Sequence, residues 1–337
     1  MQHTFTRISK LGFIIISIFL FACKKEQVQT EIVIDRDSQN STTVVPIIMH
    51  SATPKQTDST IGKSGFGNPT QYAYLPKNSN SRQDHLLIII PGTFGLPSNY
   101  DTICMSAAKA GYYAFAVAYD NLIPIEFYNA NANDSTIENV LNEYLTGENT
   151  SPKVNVTKPN SFENRILKMI RYMDAAYPSE NWKRFLSASG KDLQWEKFSV
   201  GGHSQGSDHA MFMSRKRNLF RAAFIGGPGS FTKQDGNFPT FMTTPGLTPA
   251  DRLYGFNHTQ DKTRPWSQVQ IVWQALGIPG EPNSVDDGST GGSHRLITSL
   301  AVSDPHLSVV MDNYLPLNSN GVSVYEPVWR SMLYSGQ

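Results

Sequence analysis

A serine with the surroundings of a catalytic nucleophile lies at the centre of residues 202–206, which read Gly-His-Ser-Gln-Gly. Residues 197–201 before it are typical of a short strand, and residues 207–213 after it are typical of a helix. A tight turn from strand to helix exposes a serine hydroxyl above the sheet, and flanking glycines allow such a sharp turn. We therefore predict that Ser204 is the nucleophile of an acyl-transfer reaction.

The proton of a serine hydroxyl must be accepted by a base, and a third group must orient that base. The turn resembles the nucleophile turn of α/β-hydrolases, and this resemblance implies that the acid and then the histidine follow the serine along the chain. Four histidines follow Ser204, and His306 lies in a loop directly after a predicted strand at residues 295–302. Because loops after the carboxyl ends of parallel strands form the site, we predict that His306 is the base.

The other three histidines are in less suitable positions. His209 lies on the predicted helix that carries Ser204, with no room for an acid-bearing strand between them. His294 begins the last predicted strand, and eight residues at about 3.3 Å each would place it roughly 26 Å from the site. His258 follows the preceding strand, where the acid is expected.

The acid is predicted to follow the strand at residues 252–256, and Asp261 is the first carboxylate after that strand. Its role would be to accept the Nδ1 proton of His306 and to stabilise the imidazolium. Three other aspartates in loops stay open as alternatives, since a loop aspartate is also a common turn residue: Asp235, Asp286 and Asp287.

The oxyanion of a tetrahedral intermediate needs preorganised hydrogen-bond donors. One donor is predicted to be the backbone N–H of Gln205, the residue after the nucleophile. The second is predicted in the loop after the strand at residues 85–90, which reads Pro-Gly-Thr-Phe-Gly. Thr93 is the predicted donor, with Phe94 as the alternative, because Gly92 lets the backbone turn towards the site.

Strand and helix patterns alternate along most of the chain. The apolar run at residues 85–90 does not alternate with polar residues, which favours a strand buried on both faces of a parallel sheet. Earlier strands at residues 44–49 and 71–75 are expected to be antiparallel. The pattern predicts an α/β fold with a mostly parallel, doubly wound sheet and flanking helices. Its further elements are strands 112–119 and 221–225 and helices 99–110 and 161–177.

The stretch at residues 121–160 interrupts this alternation, because it is rich in Asn, Thr and Ser. It follows a predicted strand at the sheet edge where ligands bind. A long insertion at this edge is either a lid or substrate wall, or a surface loop without a role in binding.

The N-terminus has the three parts of a secretory signal peptide at residues 1–22. It ends in Leu-Phe-Ala-Cys, which resembles a bacterial lipobox, with a lipid attached to Cys23. The alternatives are an ordinary signal peptide or a short membrane anchor. The lipobox predicts an extracytoplasmic lipoprotein on either membrane face, with a polar tether at residues 23–43 and a catalytic domain at residues 44–337.

Composition narrows the remaining classes of function. The chain of 337 residues has a net charge of +1 and two cysteines. Lys and Arg form no basic stripe, which argues against nucleic-acid binding. If Cys23 carries a lipid, Cys104 has no partner for a disulfide, and its helical surroundings predict a small buried hydrophobe. The sequence indicates no metal site and no oligomeric state.

Together these residues resemble the α/β-hydrolase superfamily, in the order oxyanion loop, Ser204, Asp261, His306. The Gly-His-Ser-Gln-Gly turn is similar to that of a group of bacterial hydrolases. The resemblance implies hydrolysis of small or polymeric carboxylic esters through an acyl-enzyme, without a cofactor. Many esterases have His-Gly in the oxyanion loop, whereas this chain has Pro91-Gly92. A serine peptidase of the same fold and a non-catalytic ligand-binding lipoprotein are the alternatives.

Overall fold

The computed structural model describes residues 45–62, 65–129, 131–229 and 231–334. The predicted signal peptide at 1–22, Cys23 and the tether at 23–43 lie outside the described residues and stay predictions. Every helix in the described ranges is too short or too polar to cross a membrane.

The described strands join into one nine-stranded sheet with the order β1-β2-β4-β3-β5-β6-β7-β9-β8. β2 pairs antiparallel with β1 and with β4, and all other neighbours are parallel. The strands are β1 (Ile47–Ala52), β2 (Gln71–Pro76), β3 (Leu86–Ile90), β4 (Tyr113–Ala116), β5 (Phe198–His203), β6 (Arg221–Ile225), β7 (Leu253–His258), β8 (Asn283–Ser284) and β9 (Arg295–Thr298).

Helices cover both faces of this sheet. The longer ones are α2 (Asp101–Lys109), α3 (Thr136–Thr146), α4 (Phe162–Ala176), α5 (Gln205–Lys216) and α7 (Trp266–Ala275). Single turns form α1 (Pro54–Thr57), α6 (Thr240–Thr243) and α8 (Glu326–Trp329), and a π-helical turn (Arg330–Tyr334) follows α8. Side chains of α3, α4, α5 and α7 share one core with one face of the sheet, and those of α2, α8 and the π-helical turn share the other.

Alternate residues of the central strands supply these two cores. Leu86, Ile88 and Ile90 of β3 pack on the α3–α5 side, whereas Leu87 and Ile89 pack on the α2 side. All five are buried. The non-alternating apolar run therefore correctly predicted a central parallel strand, because each of its residues faces a layer of helices.

Several predicted boundaries were wrong. The last long strand ends at Thr298 rather than at residue 302, and β4 covers residues 113–116 rather than 112–119. Residues 121–160 are not a loop throughout, because they contain α3, whose apolar face packs against α4 and α5. Cys104 is buried on α2, as the sequence predicted.

Candidate active site

Ser204 lies on the turn between β5 and α5 with φ 53° and ψ −120°. A positive φ is uncommon for a residue with a Cβ, and such backbone strain is concentrated at functional sites. The turn is held in place because the N–H of Ser204 donates to the carbonyl of Ile225 at the end of β6 (2.9 Å). The sequence correctly placed Ser204 on a tight turn from strand to helix, and its positive φ is an additional finding of the structure.

The two glycines of this turn are required by close packing. A Cβ on Gly202 would lie 2.0 Å from the carbonyl oxygen of Gly206, and a Cβ on Gly206 would lie 1.9 Å from that of Ile90. Neither glycine has a positive φ. Their role is therefore to let α5 start close against β3 and β5, and the backbone strain falls on Ser204 itself.

His306 and Asp261 form a buried hydrogen-bonded pair. The Nδ1 of His306 lies 2.6 Å from Oδ2 of Asp261. The other carboxylate oxygen, Oδ1, accepts the backbone N–H groups of Thr263 and Arg264, both at 2.8 Å. An ionised carboxylate only accepts hydrogen bonds, so Nδ1 carries the proton and Nε2 of the neutral ring has the free lone pair.

This pair lies at the same edge of the sheet as Ser204. Asp261 follows the end of β7, and His306 lies in the loop after β9. A Cβ on Gly226 would lie 3.4 Å from the His306 ring, and Gly226 follows Ile225, whose carbonyl binds the N–H of Ser204. The three predicted residues are thus carried by neighbouring loops at the carboxyl ends of parallel strands.

The three aspartates that were alternatives to Asp261 form hydrogen bonds with other groups. Asp286 accepts hydrogen bonds from the hydroxyls of Thr298 and Ser299 at the end of β9. Asp235 and Asp287 are exposed and bind backbone N–H groups two residues further along the chain.

The other downstream histidines are structural. Nε2 of His258 bonds to the carbonyl of Leu300, and the His294 ring stacks on Tyr254 at the opposite end of β9. The predicted eight-residue strand was too long, but His294 still lies at the end of β9 remote from the site. His209 is buried among three aromatic rings: Tyr119, Tyr144 and Phe162.

The oxyanion loop leaves the Thr93 amide available. The N–H of Gly92 donates to the hydroxyl of Tyr100 (3.0 Å), and that of Phe94 donates to the carbonyl of Asn121 (3.3 Å). Within the described ranges, no protein group accepts the Thr93 N–H. As the first residue of α5, Gln205 has an amide without an intrahelical acceptor. The Phe94 amide, the alternative donor in the sequence analysis, is already bonded to the carbonyl of Asn121.

Side chains that the sequence analysis did not identify fix the position of these amides. Gln205 accepts the Thr93 hydroxyl on Oε1 (2.6 Å), and its Nε2 donates to the carbonyl of Ile123 (3.1 Å). The Nδ2 of Asn121 donates to the carbonyls of Gly92 (2.6 Å) and Gly95 (2.9 Å).

His203, the residue before the nucleophile, connects the oxyanion loop to the His306 loop. Its Nε2 lies 3.0 Å from the carbonyl oxygen of His306, so it donates there. Its Nδ1 then accepts the hydroxyl of Tyr100 (2.9 Å), whose oxygen accepts the Gly92 N–H. Burial lowers the pKa of His203 to about 3, which keeps the ring neutral and this hydrogen-bond chain in one direction.

A buried ion pair joins the acid loop to the helix of the nucleophile. The guanidinium of Arg264, three residues after Asp261, bonds to Asp208 on α5 at 2.9 Å and also to Glu126. Asp208 further accepts the N–H of Gly229 (2.7 Å). Among the described residues, no group of three His, Cys, Asp or Glu side chains has the arrangement of a metal site.

We predict that two buried histidines make the fold sensitive to acid. Burial lowers the pKa of His203 and of His209 to about 3, whereas both titrate near 6.5 when unfolded. As pH falls from about 6.5 towards 3, the unfolded chain binds protons that the native state excludes. Each histidine then lowers the free energy of unfolding by up to about 1.4 kcal/mol per pH unit.

Urea unfolding at pH 6.5 and 5 tests this prediction. A His209→Phe variant keeps a ring of similar size among Tyr119, Tyr144 and Phe162, and it is expected to lose about half of this acid dependence. An equally steep loss of stability in wild type and variant would contradict the assignment of this proton to His209.

A mostly parallel sheet with helices on both faces carries a strained serine turn at its centre and a histidine–aspartate pair after later strands. The chain has the α/β-hydrolase fold. The antiparallel pairing of β2 and the chain order Ser204, Asp261, His306 agree with this fold.

Among solved structures, a proposed dienelactone hydrolase from Klebsiella pneumoniae is 13% identical, with 85% of this chain and 97% of that chain covered at a TM-score of 0.43. A thermophilic esterase from the Planctomycetes species Thermogutta terrifontis is 12% identical, with 86% and 95% covered at a TM-score of 0.46. Both likenesses are distant, and neither indicates a substrate for this chain. No family model and no curated protein matches the sequence.

Proposed function

We propose that this protein is a serine hydrolase that cleaves carboxylic esters through an acyl-enzyme intermediate. The observation that carries the proposal is the 2.6 Å hydrogen bond between His306 Nδ1 and Asp261. It leaves Nε2 of the imidazole as an acceptor at the edge of the sheet where the strained turn of Ser204 lies.

In the proposed reaction, His306 Nε2 accepts the hydroxyl proton while Oγ of Ser204 attacks the ester carbonyl. The N–H groups of Thr93 and Gln205 stabilise the oxyanion, and Asp261 stabilises the imidazolium. Collapse of the tetrahedral intermediate breaks the bond to the alcohol oxygen, which receives the proton from Nε2. Water, deprotonated by the same histidine, then releases the acid and restores the serine.

A fluorophosphonate probe tests whether the serine is activated. Attack by Oγ on phosphorus expels fluoride, so native protein is expected to gain one covalent adduct, located on Ser204 by peptide mass spectrometry. Protein unfolded in urea and the Ser204→Ala variant are the controls and should stay unlabelled. Folded protein that gains no adduct would exclude the proposed mechanism and favour a binding protein. An adduct on another serine would also exclude it and would assign the nucleophile to that serine.

A further inference from the structure

We propose that an apolar surface beside the oxyanion loop binds the acyl group of the substrate, so that the protein prefers esters of bulky apolar carboxylic acids. We call this surface the acyl platform, and its residues are Phe94, Leu122 and Ile123. The inference rests on the proposed function, which it extends from esters in general to one class of ester.

The acyl platform consists of apolar side chains that folding leaves in water. Phe94 is 62% exposed, Leu122 43% and Ile123 47%. The segments that carry them are joined, because the N–H of Phe94 donates to the carbonyl of Asn121. Grouped apolar side chains on a surface indicate a binding site, whereas single exposed ones are ordinary.

Phe94 has an unfavourable backbone conformation in this exposed position. Its φ is 59°, an unfavourable value for a bulky residue. Asn121 fixes the loop on both sides of Phe94 through its bonds to the carbonyls of Gly92 and Gly95. The ring of Phe94 contacts the half-buried ring of Phe66 at a centroid distance of 5.9 Å, but most of it stays exposed to solvent. Core packing therefore does not explain the strain, and binding at this position does.

A cavity of about 470 Å³ lies next to the platform, and Leu122 and Ile123 form part of its wall. Its volume is in the range of sites that hold small organic ligands. Of its charged lining residues, Asp120 and Lys153 are exposed and lie on its solvent side. The third, Arg165, is buried, and its guanidinium donates to backbone carbonyls of Gly67, Ala118 and Asn160. Aromatic rings form much of the remaining wall: Tyr119, Tyr128, Tyr144 and Phe162.

The platform is connected directly to the oxyanion donors. Phe94 follows Thr93 in the chain, and the carbonyl of Ile123 accepts the side-chain N–H of Gln205 (3.1 Å). An acyl group that extends from a carbonyl bound at Thr93 and Gln205 therefore reaches apolar surface within one residue of either donor.

The order of strands indicates which half of the ester lies here. The segment of the platform with Leu122 and Ile123 follows β4, on one side of β5, whereas His306 and Asp261 follow β9 and β7 on the other side. The leaving alcohol must receive its proton from His306, so it lies on the β7–β9 side. The acyl substituent of the same carbon then points away from His306, towards the platform.

Two series of esters test this assignment. In p-nitrophenyl acetate, butanoate and octanoate the leaving group is constant. The kcat/KM is expected to be at least about tenfold higher for octanoate than for acetate, which is the gain when about two of its additional methylenes are buried. Phe94→Ala and the double variant Leu122→Ala/Ile123→Ala should each reduce this octanoate-to-acetate ratio towards one. In a series of acetates of larger alcohols, the same variants should leave the relative kcat/KM values unchanged.

The variant Leu317→Ala is the matched control, because Leu317 is a 57% exposed leucine that belongs to the segment before α8. It should keep the wild-type ratio. An unchanged ratio in both platform variants, or a change confined to the alcohol series, overturns the inference while the proposed function stands. Hydrolysis of none of the esters by wild-type protein, together with no fluorophosphonate adduct, overturns both.

Discussion

Replacement of Ser204 by alanine is expected to reduce kcat for p-nitrophenyl esters by about 10⁴-fold or more, because the attacking oxygen is lost. Residual hydrolysis by the oxyanion donors and bound water accounts for what remains. Alanine keeps the Cβ at φ 53° and the N–H that bonds to Ile225. The unfolding temperature is therefore expected to equal or exceed that of the wild type, which circular dichroism measures.

The matched control for this substitution lies on α5, the helix that begins directly after Ser204. Ser214 is buried, and its hydroxyl donates to the carbonyl of Met211 (2.6 Å), away from the site. The Ser214→Ala variant should retain ester hydrolysis within about twofold of wild type. A buried helix hydroxyl outside the active site affects the stability of the protein rather than the reaction. A Ser204→Ala protein that is folded and retains more than about 1% of activity would exclude an acyl-enzyme on this residue.

The arrangement of the sheet was predictable because each central strand is a short apolar run that can be recognised in the sequence. Residues 221–225 were predicted as a strand, and β6 has the same limits. The ends of β4 were wrong for a physical reason. Val117, Ala118 and Tyr119 stay buried beyond the strand, so an apolar run marks burial rather than the last ladder hydrogen bond.

The candidate nucleophile, base and acid were predicted from chemistry and chain order, because only a few residues of the right type follow the turn. His306 and Asp261 are indeed paired, although β9 ends at Thr298 and a longer loop than predicted leads to His306. The error in the predicted end of β9 did not change the predicted position of His306, since a loop after the strand lies at the same edge of the sheet.

The supporting hydrogen bonds were not predictable from the sequence. Tyr100 and His203 are 103 residues apart, and neither lies in a pattern that indicates a contact. Asn121 begins a stretch rich in Asn, where a loop residue that holds the oxyanion loop has the same sequence signature as any turn asparagine. Only the folded geometry distinguishes them.

Replacement of Asp261 by asparagine is expected to reduce kcat by about 10⁴-fold, because it would fix the wrong tautomer of His306. Oδ1 of Asp261 accepts two backbone N–H groups, from Thr263 and Arg264. In the variant the carboxamide oxygen must occupy that position, so the amide NH₂ group faces Nδ1 of His306. Nδ1 then has to accept a hydrogen bond, Nε2 carries the proton, and the ring can no longer deprotonate Ser204.

Nitrogen-15 NMR of the histidine side chains separates this effect from a loss of structure, since the His306 proton should move from Nδ1 in the wild type to Nε2 in Asp261→Asn. The control is Asp286→Asn, which changes a carboxylate that binds Thr298 and Ser299. That variant should keep the wild-type tautomer and activity within a few-fold. The reverse result, a loss at Asp286 with near-normal activity at Asp261, would assign the acid to the loop before β9. It would also require that loop to move, because the observed 2.6 Å contact of the His306 ring is with Asp261.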